Sequence, residues 1–225
     1  MTRAILFDTE TTGLEPELGH RVIEVAAVEL LNDLPTGRHF HALVHPDRDI
    51  PEDATRIHGF TLADLLDRPR FAEIAEELLV FFGDGQLIAH NAPFDFAFLN
   101  AEFTRLGFPE LSAGRMIDTL ALAKTRFPGM PNSLDALCRR FAIDLSARTT
   151  HNALLDCRLL ADVYVELTGG RQRGLLFATE KPTAQPIVYA LTGDRVPRLM
   201  EPSAEELAAH TSFLARLKDP VWLRT

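Results

Sequence analysis

Ile5-Leu6-Phe7-Asp8-Thr9-Glu10-Thr11-Thr12-Gly13-Leu14 is an apolar run that ends in two acids two positions apart. Successive side chains of a strand alternate between faces, so Asp8 and Glu10 project from the same one. Two anions that close repel unless a cation lies between them, and hard carboxylate oxygens suit magnesium or manganese. A metal site is one reading. The other is a strand running into a polar turn, with Asp8 and Thr9 capping it and Gly13 bending it. For an Asp-x-Glu by itself the plain turn is the stronger of the two.

Two further segments shift that balance. Ala89-His90-Asn91-Ala92-Pro93-Phe94-Asp95-Phe96-Ala97-Phe98-Leu99 carries a short apolar strand, Leu87 to Ala89, through a loop into an apolar helix with one acid. Among Phe94, Phe96 and Phe98 a charge on Asp95 is costly without a partner, although an ordinary helix N-cap accounts for it about as well. In His151-Asn152-Ala153-Leu154-Leu155-Asp156-Cys157-Arg158-Leu159-Leu160 a histidine precedes an acid by five residues at the start of an apolar helix. That spacing suits a loop histidine and a first-turn carboxylate facing one pocket. Alone, Asp156 reads as complementarity to the helix dipole and His151 as a capping residue.

Together the three segments resemble the three motifs of the DEDDh family of 3′-to-5′ exonucleases. Asp8 and Glu10 match the first, Asp95 the second, and His151 and Asp156 the third. Residue type, local context and chain order agree at once, which no single short pattern offers. Pro131-Asn132-Ser133-Leu134-Asp135-Ala136-Leu137-Cys138 and Leu167-Thr168-Gly169-Gly170 extend the likeness toward the proofreading subunits of bacterial replicative DNA polymerases. The resemblance implies an α/β, ribonuclease-H-like fold: a five-stranded mixed sheet flanked by helices, with the carboxylates gathered on one edge. It further implies hydrolysis of single-stranded or frayed DNA 3′ ends to nucleoside monophosphates with two divalent ions, magnesium or manganese. Asp8 would bridge the ions, Glu10 and Asp156 would complete the first one's shell, and Asp95 would act directly or through ordered water. His151 would take the proton of the attacking water. Thr11, Leu14 and His58 are candidates for contact with the terminal nucleotide. Turn-shaping is the simpler reading of Thr11 and Thr12, as loop-ordering is of His58, and His90 reads as a structural residue beside its motif.

The chain has 225 residues, room for one well-buried domain plus an appendage. Its 46% hydrophobic and 24% charged residues are those of an ordinary globular protein. No apolar stretch has the length of a membrane span or signal-peptide architecture, so a cytoplasmic protein with no membrane partner is expected. Cys138 and Cys157 lack metal-type spacing and read as small apolar fillers in helices. The net charge is −9, from 32 acids against 23 lysines and arginines. A protein that grips DNA unaided presents a basic face. Here bound cations would invert the sign locally, and another protein is expected to deliver the substrate.

The strands expected are Ala4 to Phe7, Val22 to Leu30 and Arg38 to Val44 as an antiparallel meander, then Leu87 to Ala89 and Arg115 to Ile117. A polar loop with Pro46 and Pro51 follows the third, and a helix starts near Thr61. Apolar spacing marks a helix over Phe71 to Phe82, Asp118 looks like the N-cap of Thr119 to Lys124, and Ser133 to Phe141 and Asn152 to Leu167 are further helices. Gly169-Gly170 would end the last in a left-handed cap. An exonuclease domain over 1–170 is therefore expected. Residues 171–177 resemble a sliding-clamp-binding peptide, with Gln172, Leu175 and Phe177 as anchors and Arg173 departing from the usual pattern; a tail packing back on the domain fits as well. Residues 178–186 read as an extended linker. In 187–225, Ser203-Ala204-Glu205-Glu206 is a capping box opening a helix with Leu207, Phe213, Leu214 and Leu217 on one side. So short a tail has no core of its own. The resemblance assigns its apolar side to the polymerase catalytic subunit, and packing on the same chain is the alternative. Two other functions compete: an RNA 3′ exonuclease of the same superfamily, for which 172–225 is surplus, and a replisome scaffold with a vestigial nuclease, against which the complete set of five residues argues.

Overall fold

A computed structural model describes residues 2–146, 148, 150–169 and 201–218. The central strand β1 (Arg3–Thr11) pairs antiparallel with β2 (Val22–Leu31), which pairs antiparallel with β3 (Leu34–Leu43). On its other side β1 runs parallel to β4 (Gln86–Ala89), and β4 runs parallel to β5 (Met116–Asp118). The five-stranded mixed sheet thus has the order β3-β2-β1-β4-β5.

The helices are α1 (Glu52–His58), α2 (Leu62–Leu65), α3 (Phe71–Phe82), α4 (Ala92–Arg105), α5 (Thr119–Arg126), α6 (Leu134–Arg140), α7 (Ala153–Leu167) and α8 (Ala204–Leu214). Alternation along β1 divides the core into two layers. Ile5 and Phe7 pack with Phe71, Leu78 and Phe82 of α3 and Phe96, Leu99 and Phe103 of α4. Ala4 and Leu6 join Leu137 of α6 and Cys157, Leu160 and Val163 of α7. Phe7 contacts Phe82 and Phe96 with ring centroids 5.4 and 5.8 Å apart. Each fully buried phenylalanine contributes about 1.5–3 kcal/mol. The even-numbered face of β1 belongs to α7, and this places Asp8 and Glu10 on the α7 side.

Several elements depart from expectation. β1 continues to Thr11 and β3 begins at Leu34. The polar stretch after Pro51 is helical: α1 buries only Ala54 and His58, a stripe too narrow to register as apolar periodicity. Its acids, Glu52 and Asp53, sit in the first turn and Arg56 and His58 in the last, as the helix dipole favours. The helix near Thr61 is a single four-residue turn. At the end of α7 the cap is Thr168 at φ −93°, ψ 3°, and Gly169 has φ +130°, wider than the left-handed helical region. Gly13 serves close approach: a Cβ there would lie 1.9 Å from His20 Nδ1.

The chain divides into two compact units, Met1–Leu176 and Phe177–Thr225. In the second, Ser203 and Glu206 form the expected capping box, and α8 buries none of its residues. Gln172, Leu175 and Phe177, and the linker 178–186, lie outside the described residues. No helix among the described residues is long and apolar enough to cross a membrane.

Candidate active site

β4 pairs with β1 only as far as Leu6↔Ile88, so β1 runs on unpaired along that edge. A buried backbone N–H needs a partner. Thr9 finds one in Asp95 of α4: its N–H and its hydroxyl donate to Asp95 Oδ1 at 3.0 and 2.7 Å. Asp95, only 2% exposed, is thereby held at the end of the sheet although α4 packs on the opposite face from α7. Asp118 caps α5 through Leu120 N–H, as expected. It also accepts from Asn91 and Ala92 N–H, so it secures the start of α4 as well.

The second half of the site hangs on a buried acid that motif reading missed. Glu24 of β2 lies opposite Glu10 and is fully buried. It accepts from Ala153 N–H at 3.1 Å and Asn152 Nδ2 at 3.0 Å, and His41 Nε2 lies 2.7 Å away. An anion at a helix N-terminus satisfies orphan donors and complements the dipole. Glu24 therefore anchors α7 where its first turn delivers Asp156 to β1. Its sequence signal was an acid on the core face of a strand that is apolar apart from Glu24 and Glu29. Asn152 is the N-cap, accepting from Leu155 N–H, and His151 N–H donates to Ile57 O of α1. Arg148 was also missed. It makes a two-pronged contact with Asp156, Nε to Oδ1 at 2.6 Å and Nη2 to Oδ2 at 2.7 Å.

Glu10, His151 and Asp156 each offer a ligand atom, all within 4.8 Å of one another. Asp8 lies among them, partly open to a cleft of about 500 Å³ that His90, Arg148, His151 and Asp156 also line. Burial, then repulsion from Asp95, Glu10 and Asp156, pushes the Asp8 carboxyl well above its ordinary pKa. Burial and the neighbouring Glu24 and Asp156 raise Glu10 to about 8, and burial raises Asp95 to about 7. Acids so crowded fit a hard divalent cation, whose charge would let Asp8, Glu10 and Asp95 ionise. Burial and the Arg148 charge lower His151, keeping its imidazole neutral and able to accept a proton. Cys157 is different: it is fully buried and burial raises its thiol, in keeping with a small apolar filler.

A pH dependence follows from Glu10. Between the ordinary carboxyl pKa and about 8, the folded chain holds a proton that the unfolded chain has lost, so stability falls as pH rises across that interval. Without divalent ions, thermal melts are expected to show this loss from about pH 5 to about pH 8, with added magnesium stabilising more at the upper end. Calorimetry near neutral pH should register protons released on binding.

A second cavity, of about 460 Å³, adjoins Glu10 and is lined by Thr11, Leu14, Ile57, His58 and Phe94, among others. Leu14 is 75% exposed at its rim. The Thr11 hydroxyl is taken by Gly13 O at 2.6 Å, in keeping with the turn reading. His58 Nδ1 accepts from Phe60 N–H, which leaves Nε2 as the donor, buried and without a partner among the described residues. Burial lowers the His58 pKa. His90 Nδ1 pairs with the Thr119 hydroxyl at 2.9 Å, which suits its structural reading.

A sheet of this order carrying two acids on β1, one on α4 and a histidine and acid at the start of α7 defines a metal-dependent 3′-to-5′ exonuclease of the DEDDh class, on a ribonuclease-H-like fold. The exonuclease family model (RNase_T) matches residues 5–164. The DNA polymerase III subunit epsilon of Rickettsia felis is 44% identical over 221 residues, spanning 96% of each chain. That of Salmonella typhimurium is 43% identical over 95% of this chain and 93% of its own. The solved structure of Exonuclease X in complex with 5′ overhanging duplex DNA superposes with a TM-score of 0.59 at 28% identity, covering 73% of this chain and 90% of that one. The chain belongs to the exonuclease family and, within it, to the epsilon subunits of DNA polymerase III.

Proposed function

We propose that this chain removes 3′-terminal nucleotides from single-stranded or frayed DNA as the proofreading subunit of a bacterial replicative polymerase in the cytoplasm. The observation that carries the reading is the meeting of Asp8, Glu10, Asp95, His151 and Asp156 at one end of β1, in a chain related over nearly its whole length to epsilon subunits. Two ions, magnesium or manganese, bound by Asp8, Glu10, Asp95 and Asp156 would polarise the phosphodiester and ease ionisation of the attacking water. His151 accepts that water's proton. The rim of Leu14 gives the terminal base an apolar surface, and His58 Nε2–H offers a hydrogen bond to the bound nucleotide. Thr11 shapes the wall of the same cavity. Selectivity for mispaired ends needs no base reading, since a mismatched end unpairs more cheaply.

The exonuclease domain 1–170 needs no tail for this chemistry. Gln172, Leu175 and Phe177 engage the sliding clamp, 178–186 links, and the apolar side chains Leu207 and Phe213, both more than half exposed, meet the polymerase catalytic subunit. Hydrolysis assays with magnesium on matched single-stranded DNA and RNA test the substrate, and faster RNA trimming would overturn it. A chain ending at Gly170 should keep that activity and lose polymerase binding. Polymerase capture as tight as that of the full chain would reassign 171–225.

A further inference from the structure

We propose that Arg148 is an internal counter-ion that holds the metal ligand Asp156 and the base His151 in place, and that an entering divalent cation must displace it from Asp156. Both Asp156 oxygens are occupied by the guanidinium, at 2.6 and 2.7 Å. Arg148 Nη2 also lies 3.1 Å from His151 Nδ1, so one side chain fixes both groups. Its remaining arm, Nη1, donates to Asp135 Oδ1 of α6 at 2.7 Å. The guanidinium is only 10% exposed and Asp156 5%, so the contact is a desolvated, charge-assisted pair rather than a surface bridge.

A cation taking an Asp156 oxygen as ligand removes one or both prongs. The fork can then turn on Asp135, its more exposed partner at 39%, which keeps the displaced charge near the cleft. His151 loses its contact to Nη2 in the same movement. Loading of the site and release of the base are thereby coupled through one residue. Arg148 is a positioning residue, and its effect differs from that of a distant positive charge because it depends on the fork contacting both oxygens. A lysine retains the charge but not the two-pronged geometry.

This inference rests on the assignment of Asp156 as a metal ligand, so the experiment separates the two. Manganese binding by the full chain is measured by calorimetry for the wild type, Arg148→Met, Arg148→Lys and Asp156→Asn. Displacement predicts that both Arg148 variants bind manganese about tenfold more tightly, equivalent to about 1.4 kcal/mol, and melt at lower temperature without metal. Wild-type affinity in Arg148→Lys with tighter binding only in Arg148→Met would reduce Arg148 to a long-range charge and overturn the proposal. Weaker binding in both would overturn it too, making the fork an organiser of the loaded site. Unchanged binding in Asp156→Asn would remove the ligand assignment and the inference with it. Should the variants fail to fold, the Arg148 Nε–H resonance of the wild type decides: a shift on magnesium saturation supports displacement, and an unmoved resonance overturns it.

Discussion

Asp8→Ala is expected to lower hydrolysis of single-stranded DNA by about 10³-fold or more, because it removes the acid that all the others crowd. Lewis-acid stabilisation of the transition state is worth several kcal/mol, and each ~1.4 kcal/mol is a factor of ten in rate. The substitution should not unfold the chain. Burial and four neighbouring acids raise the Asp8 carboxyl, so its loss relieves repulsion and the metal-free melting temperature should hold or rise. Asp156→Ala should be as inactive but less stable, since it strips Arg148 of the partner at both of its prongs. Single-turnover assays and melts of both variants, each with magnesium and with excess chelator, check this. Near-normal turnover in either, or full wild-type activity in chelator, would sink the metal assignment.

His151→Ala should cost about 10²- to 10⁴-fold in the chemical step, the usual contribution of a positioned general base. The imidazole must be neutral to act, so wild-type rate falls as pH drops through its pKa. Burial lowers that pKa, which moves the falling limb below the ordinary histidine range and leaves the base ready near neutral pH. The alanine variant should lose that limb. Rate profiles of both proteins under single-turnover conditions provide the measurement, and a loss under about threefold would return His151 to a purely structural role.

The two competing functions differ in how the fold bears on them. A vestigial nuclease would have no reason to bury repelling acids together, where burial and its neighbours raise Glu10 to about 8, because such a cluster destabilises the fold at neutral pH unless something cationic binds. Trimming of RNA shares the same core chemistry. Only the tail and the relationship to epsilon subunits weigh toward DNA and a polymerase partner.

Local physics made much of this readable in one dimension. Strand alternation put Asp8 and Glu10 on a single face, and that face proved to be the one covered by α7. Capping signals located Asp118 and Ser203, whose side chains bond within their own helices, whereas the cap of α7 is Asn152 and not the neighbouring His151. Helix α1 stayed hidden because it buries just two residues, and periodicity reports only what faces a core. The sequence by itself therefore determined the chemistry: four carboxylates and a histidine in three motifs, each at the end of a strand or the start of a helix. Tertiary structure alone decided how they are held. Glu24 anchors α7 from a strand more than a hundred residues earlier, Asp95 is secured by an edge of β1 left free by short β4, and Arg148 ties α6 to α7. Such contacts depend on strand order and on where neighbouring strands end, which no local pattern of polar and apolar residues encodes.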